Sequence, residues 1–253
     1  MSLVMINIHP FIFNPFEENT YVLFDETKEC VIIDPGCYEK HEKQELTGFI
    51  EENELKPVKL VNTHCHIDHV FGNQFIAEKY DLDLEINKLE LPVLQSVASV
   101  AQLYGIPNLE NSPDPVNFLN QGDIVEFGNS KLEILLIPGH SPGHIVLVGY
   151  NAPRRNYPSP QMSRESFGLA EDRTFKNVST SASYEREQKF VITGDVLFYG
   201  SIGRTDLPGG DHNTLIENIK TKLFALGDDF QVYSGHGPVT NMGFERKNNP
   251  FLQ

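Results

Sequence analysis

The chain is short of cysteine, of positive charge and of long apolar runs, and each shortage bears on a class of protein. Its 253 residues include three cysteines, Cys30, Cys37 and Cys65, and no Cys-x-x-Cys. Three thiols cannot all pair, which fits a reducing, cytoplasmic setting better than an oxidising one. Lysine and arginine number 20 against 35 aspartates and glutamates, a formal charge of -15. Such a chain repels phosphate at long range, which argues against a general nucleic-acid binder. No stretch approaches the length of about 18 apolar residues that a membrane-spanning helix needs. Residues 1–16 are fairly apolar but have no basic leader, and Asn7, His9, Pro10, Asn14 and Pro15 interrupt them. They read as an opening strand rather than a secretory signal. A small-molecule substrate, with neither nucleic acid nor membrane as partner, is the expectation that remains. The sequence does not give the oligomeric state.

What is present is a dense group of histidines. Thr63-His64-Cys65-His66-Ile67-Asp68-His69 follows the apolar run Val58-Lys59-Leu60-Val61. In extended chain at a strand end alternate side chains share a face, so His64 and His66 point together. A turn just beyond brings Asp68 and His69 towards the same side. Cys65 then points away and packs as a small apolar group. Imidazole with carboxylate suits zinc, iron or manganese better than calcium.

Further donors stand at other strand ends. Leu132–Ile137 ends at Pro138-Gly139-His140-Ser141-Pro142-Gly143-His144, where glycines and prolines force a tight turn and allow close approach to a ligand. His140 is read as a ligand, and His144 as a packed or hydrogen-bonded residue. The strand Lys189–Thr193 closes on Gly194-Asp195, and Val232-Tyr233-Ser234 closes on Gly235-His236-Gly237. Asp34, before Pro35-Gly36, is read as a turn former.

The remaining pattern supplies the scaffold. Strands are expected over residues 2–8, 21–24, 30–33, 58–62, 82–86, 124–127, 132–137, 145–149 and 189–193. Helices are expected over 38–53, 72–79, 88–104 and 213–226. In the third helix Leu91, Leu94, Val97, Ala98 and Ala101 share one side, and residues 108–120 form a loop. Asp211, or Thr214 with Glu217, caps the last helix. The glycine-rich segment 200–211 lacks the Lys-Ser or Lys-Thr of a phosphate loop, and Arg204 is expected to tie it to a carboxylate. His212 receives no role. Residues 151–188, with Pro153, Pro158 and Pro160 and no period, read as a surface insertion into a single domain spanning 1–253. The insertion should leave the sheet at the end remote from the histidines.

These segments together resemble the metallo-β-lactamase superfamily: Thr-His-x-His-x-Asp-His at 63–69, Gly-His at 139, Gly-Asp at 194 and Gly-His-Gly at 235. Pro138–His144, Gly203-Arg204-Thr205-Asp206 and the ending Glu245 with Asn249-Pro250-Phe251-Leu252 are most similar to short-form glyoxalase II, the hydroxyacylglutathione hydrolases. The resemblance implies an α/β (α+β) fold, a four-layer αββα sandwich with two divalent ions at one edge, zinc first and iron or manganese as alternatives. It assigns His64, His66 and His140 to one ion and Asp68, His69 and His236 to the other, with Asp195 bridging. It makes Asp68 and Asp195 the catalytic carboxylates of a cytoplasmic thioester hydrolase. Longer relatives carry a C-terminal helical domain that helps bind glutathione, and the residues after His236, 237–253, are too few for one.

Two related chemistries compete. A persulfide dioxygenase, which also carries Gly-Arg-Thr-Asp, keeps one iron on His64, His140 and Asp195. A phosphodiesterase or nuclease of the same fold sits poorly with the acidic balance. A decayed, purely metal-binding module finds no support, since no expected ligand is missing.

Overall fold

Alternating side chains along the central strands fix a layered architecture. A computed structural model of the chain describes residues 5–151 and 188–253. The first sheet runs in sequence order through β1 (Asn7–Phe13), β2 (Glu18–Phe24), β3 (Glu29–Ile33), β4 (Lys56–Val61), β5 (Leu84–Ile86) and β6 (Asn117–Phe118). Its first three strands are antiparallel, and β3 to β6 are parallel. Parallel neighbours need crossovers. These contain α1 (Lys40–Glu52), α2 (Ile67–Val70), α3 (Asn73–Tyr80) and α4 (Leu91–Tyr104).

The second sheet contains β7 (Ile124–Phe127), β8 (Ser130–Leu136), β9 (Ile145–Asn151) and β10 (Gln188–Gly194). A small hairpin of β11 (Leu197–Phe198) and β12 (Ser201–Ile202) follows, then α5 (His212–Asn218), β13 (Gln231–Ser234), β14 (Thr240–Asn241) and α6 (Met242–Asn248). The spatial order of this sheet is β14-β13-β10-β9-β8-β7.

Within β3, Cys30 and Ile32 join the core beneath α1, α3 and α4, whereas Val31 and Ile33 face the second sheet. In β9, Ile145 and Leu147 meet them from the other side, and Val146 and Val148 pack against the core of α5. Three apolar layers between four layers of secondary structure are therefore the αββα sandwich, made by period-2 alternation in strands apolar on both faces. Among the described residues no helix is long and apolar enough to cross a membrane.

Several elements depart from the sequence expectation. Of the strand expected over 2–8, residues 2–4 lie outside the described residues; the opening strand described is Asn7–Phe13, and it runs through Pro10. As the edge strand of its sheet it tolerates a residue without an N–H. Asn117–Phe118, inside the expected 108–120 loop, pairs with β5. The last long helix begins at His212 with Asp211 as its cap, whose carboxylate accepts the N–H of Thr214, so Thr214 and Glu217 form no capping box. After Asn218 it widens and then tightens through Ile219–Leu226. In α4, Val97 and Ala101 are buried and Leu91, Val93, Leu94 and Val100 pack half-buried against the same core, but Ala98 is exposed.

Residues 152–187 of the expected insertion lie outside the described residues. Its flanks pair as Asn151 with Gln188, at the end of β9 and β10 opposite His144 and Asp195.

Candidate metal centre

Strand direction brings the donors together. His140 follows the C-terminal end of β8, Asp195 follows β10 and His236 follows β13, all on one edge of the second sheet. His64 and His66 follow the C-terminal end of β4, and the single turn of α2 turns Asp68 and His69 inward. Backbone bonds join the two edges: Ile145 N–H donates to Thr63 O at 2.9 Å, and Asn19 N–H to Gly235 O at 2.7 Å. Gly194 has φ of +47° and sits where a Cβ would strike Thr63 and His144, so glycine is required for this approach.

The seven predicted donors fall into two touching groups. His64 Nε2 lies 3.2 Å from His140 Nε2, which lies 2.9 Å from His66 Nδ1. Asp68 Oδ2 lies 3.7 Å from His69 Nε2 and 3.2 Å from His236 Nε2. Asp195 stands between them, 3.4 Å from His69 Nε2, 3.6 Å from His140 Nε2 and 3.5 Å from His236 Nε2. Within each trio the donor atoms are all within 4.8 Å of one another.

The outward ring nitrogens settle which atoms face the centre. His140 Nδ1 donates to Arg204 O at 2.7 Å, and His236 Nδ1 to Phe16 O at 3.1 Å. His69 Nδ1 donates to Asp34 Oδ2 at 3.2 Å. Thr63 Oγ1 donates to Asp34 at 2.6 Å and so accepts from His64 Nδ1 at 3.1 Å. Each of these four rings thus holds Nδ1–H outward and turns Nε2 inward, and His64 and His140 bring theirs within 3.2 Å of each other. Lone pairs about 3 Å apart with no proton between them repel unless a cation lies among them. His69 Nε2 and Asp195 Oδ1 are buried and make no hydrogen bond. The donor set therefore fits divalent ions held by nitrogen and oxygen.

Electrostatics divide the two trios: burial opposes it, but Asp68 and Asp195 raise His69 and His236, favouring a proton where a cation would sit, whereas the first trio is held neutral. Burial, reinforced by the neighbouring imidazoles, pushes His64 well below its usual range, and burial with His140 brings His66 down to about 4. Both are neutral donors at pH 7. Burial alone would raise Asp195, yet the facing His69, His140 and His236 hold it well down as a carboxylate.

Asp34 corrects the sequence reading. It is no simple turn former: its backbone is left-handed (φ +50°), and its buried carboxylate accepts from Thr63 N at 2.7 Å, from Thr63 Oγ1 and from His69. It orients two of the imidazoles. Glu90, which nothing in the sequence singled out, is fully buried and accepts from Cys65 N at 2.9 Å, Gly143 N at 2.7 Å and Ser141 Oγ. It ties the His64–His66 loop to the His140 loop. No local pattern marked either role. His144 donates no ligand atom: its Nε2 accepts the Asp195 N–H at 3.1 Å and its ring stacks on His64. Cys65 is buried in the core, its thiol raised well up by burial. Arg204 pairs with Asp206 at 2.7 Å through two nitrogens. His212 is exposed.

Gly235 gives a local test. A Cβ there would press on Asp195 Oδ1 and on the His69 ring. Gly235→Ala is expected to keep the fold and lower bound metal by at least about tenfold in affinity, the order of loss that follows when a ligand's support is disturbed. Metal titration followed by circular dichroism checks it, and unchanged affinity would contradict the placement.

A family model described as the metallo-beta-lactamase superfamily matches residues 13–152 and 177–236. Hydroxyacylglutathione hydrolase GloC of Haemophilus influenzae is 34% identical over 238 residues, 94% of this chain and 93% of that protein. The probable metallo-hydrolase YqgX of Bacillus subtilis is 32% identical over 239 residues, again 94% and 93% of the two chains. The crystal structure of TTHA1623 in a di-iron-bound form superposes with a TM-score of 0.71 at 30% identity, covering 96% of this chain and all of that one. The matched residues contain every strand end that carries a donor and break only inside 153–176, so the chain belongs to the metallo-β-lactamase superfamily.

Proposed function

We propose that the protein is a dinuclear metallohydrolase acting on thioesters, with His64, His66 and His140 holding one divalent ion, Asp68, His69 and His236 the other, and Asp195 shared. The observation that carries this reading is the second trio. Asp68, His69 and His236 converge as closely as the first three donors, which a single-iron dioxygenase using His64, His140 and Asp195 does not need. Zinc is the first choice of ion on chemical grounds, and the di-iron form of a similar protein makes iron the alternative.

When bound, such ions lower the pKa of water from about 15.7 to about 7 and polarise a carbonyl. The chain's own groups supply order and charge. Asp34 and the Arg204 carbonyl fix ring orientation through His69 Nδ1 and His140 Nδ1. Burial raises Asp68, but His69 and His236 more than offset it and keep it anionic, a proton acceptor at the floor of the cleft. A thiol leaving group has an ordinary pKa near 8.5 and departs as thiolate without a proton donor. An amide nitrogen does not, which favours thioester over lactam. The name of the similar Haemophilus hydrolase points to the same bond.

Elemental analysis of the purified protein beside an S-lactoylglutathione hydrolysis assay tests the reading. About two metals per chain with thioester turnover is the expected result. One iron per chain with oxygen uptake on a persulfide would replace it.

A further inference from the structure

Resting on the thioester reading, we infer that the substrate is a thioester carrying an apolar group of four or more carbons, seated against α4, rather than a glutathione thioester held by its carboxylates. The observation is the cleft of about 680 Å³ that opens onto the metal centre. His66, Asp68, His140, Asp195 and His236 form its floor. One wall is α4: Val93, Val97 and Val100, which also pack on the core, and beyond them the exposed Leu103 and Tyr104, with Phe16 opposite Tyr104 at a ring distance of 6.1 Å. The other wall contains Pro142, Leu207 and Pro208.

Large apolar side chains stand open to water at its mouth. Leu103 is 81% exposed, Tyr104 49% and Phe16 40%. A cleft continuous with the reacting centre, bordered by core-packed valines of α4 and by exposed apolar residues at the end of that helix, fits an apolar ligand.

Charge points the same way. Glutathione carries two carboxylates. Among the described residues lining the cleft, Arg204 provides the one guanidinium or ammonium group, and Asp206 already neutralises it through two 2.7 Å bonds. The chain's charge of -15 adds long-range repulsion of anions. Apolar contact is therefore the larger source of binding available here.

Two series on the full, metal-loaded chain test this. The first is hydrolysis of acetyl, butyryl and hexanoyl thioesters of N-acetylcysteamine, a neutral thiol, beside S-lactoylglutathione. kcat/KM should rise about three- to fourfold per methylene, the factor that about 0.8 kcal/mol per buried CH₂ gives. The second is calorimetric binding of the matching ethyl, butyl and hexyl thioethers, which cannot be hydrolysed, with affinity expected to climb by the same factor. Val100→Asp and Leu103→Asp should each flatten both slopes, and Leu103, which lies outside the core, keeps that variant foldable if the other is not.

A flat series, slopes that survive in a variant that binds metal, or S-lactoylglutathione exceeding the hexanoyl thioester in kcat/KM would overturn the inference. A binding slope without thioester turnover would uphold the apolar cleft and remove the thioester reading instead.

Discussion

Asp195→Ala should lose bound metal and thioester turnover together, with kcat/KM down by more than about 10³-fold. The size follows from position. Removing a group that merely supports a ligand typically costs about 10- to 100-fold in metal affinity or activity, and Asp195 is no such support. Its carboxylate reaches both trios, facing His69 Nε2 at 3.4 Å, His140 Nε2 at 3.6 Å and His236 Nε2 at 3.5 Å. It is one of two carboxylates among the seven donors, so alanine removes half of the negative charge that offsets two dications. Its backbone N–H bond to His144 survives the substitution, which separates loss of the ligand from loss of the fold. Asp195→Asn keeps the shape and one oxygen and should retain part of the metal. Elemental analysis, hydrolysis rate and circular dichroism on the three proteins decide the matter. Full activity at unchanged metal content would falsify the shared-ligand role.

The second large effect is expected at a residue that touches no metal. Glu90→Ala should destabilise the protein by about 3–5 kcal/mol and weaken metal binding by about 10- to 100-fold. Burial raises the carboxyl, while Ser141, Cys65 N–H and Gly143 N–H oppose that shift by donating to it. Alanine leaves two buried backbone N–H groups and a hydroxyl without an acceptor, at about 1–3 kcal/mol for each unsatisfied group. Because one N–H belongs to the loop of His64 and His66 and the other to the loop of His140, the three imidazoles of one trio lose their common tether. Glu90→Gln retains an acceptor and should fall between the two. Denaturant titration of metal-free protein reads the stability, and competition with a chelator reads the affinity. Stability within about 0.5 kcal/mol of the parent, the range of an ordinary surface change, would remove Glu90 from this role.

The two sites differ in how readable they were. The strands that end in donors announce themselves locally, because apolar runs closed by glycine and proline need no partner to be recognised. β8, β10 and β13 were legible in this way, and β4 from the apolar run that leads into the histidines, but which core each face of β3 meets came only with the structure. α4 was legible as a helix but not in its packing. Leu103 and Tyr104 at its end stay exposed although they are apolar, and only the position of the cleft shows what they border.

Asp34 and Glu90 had no local signature. An aspartate before Pro-Gly looks like any turn, and what it accepts from lies 29 and 35 positions away, at Thr63 and His69. The partners of Glu90 lie 25 and 53 positions away. Sequence by itself determined which residues can bind a cation and that they stand at strand ends, since both depend on residue type and short-range periodicity. Tertiary structure decided which ring nitrogen faces inward, which carboxylate stands within reach of both trios and which ones hold imidazoles and loops in place. Those properties are set by hydrogen bonds across loops, and such distances exist only once the two sheets have closed on each other.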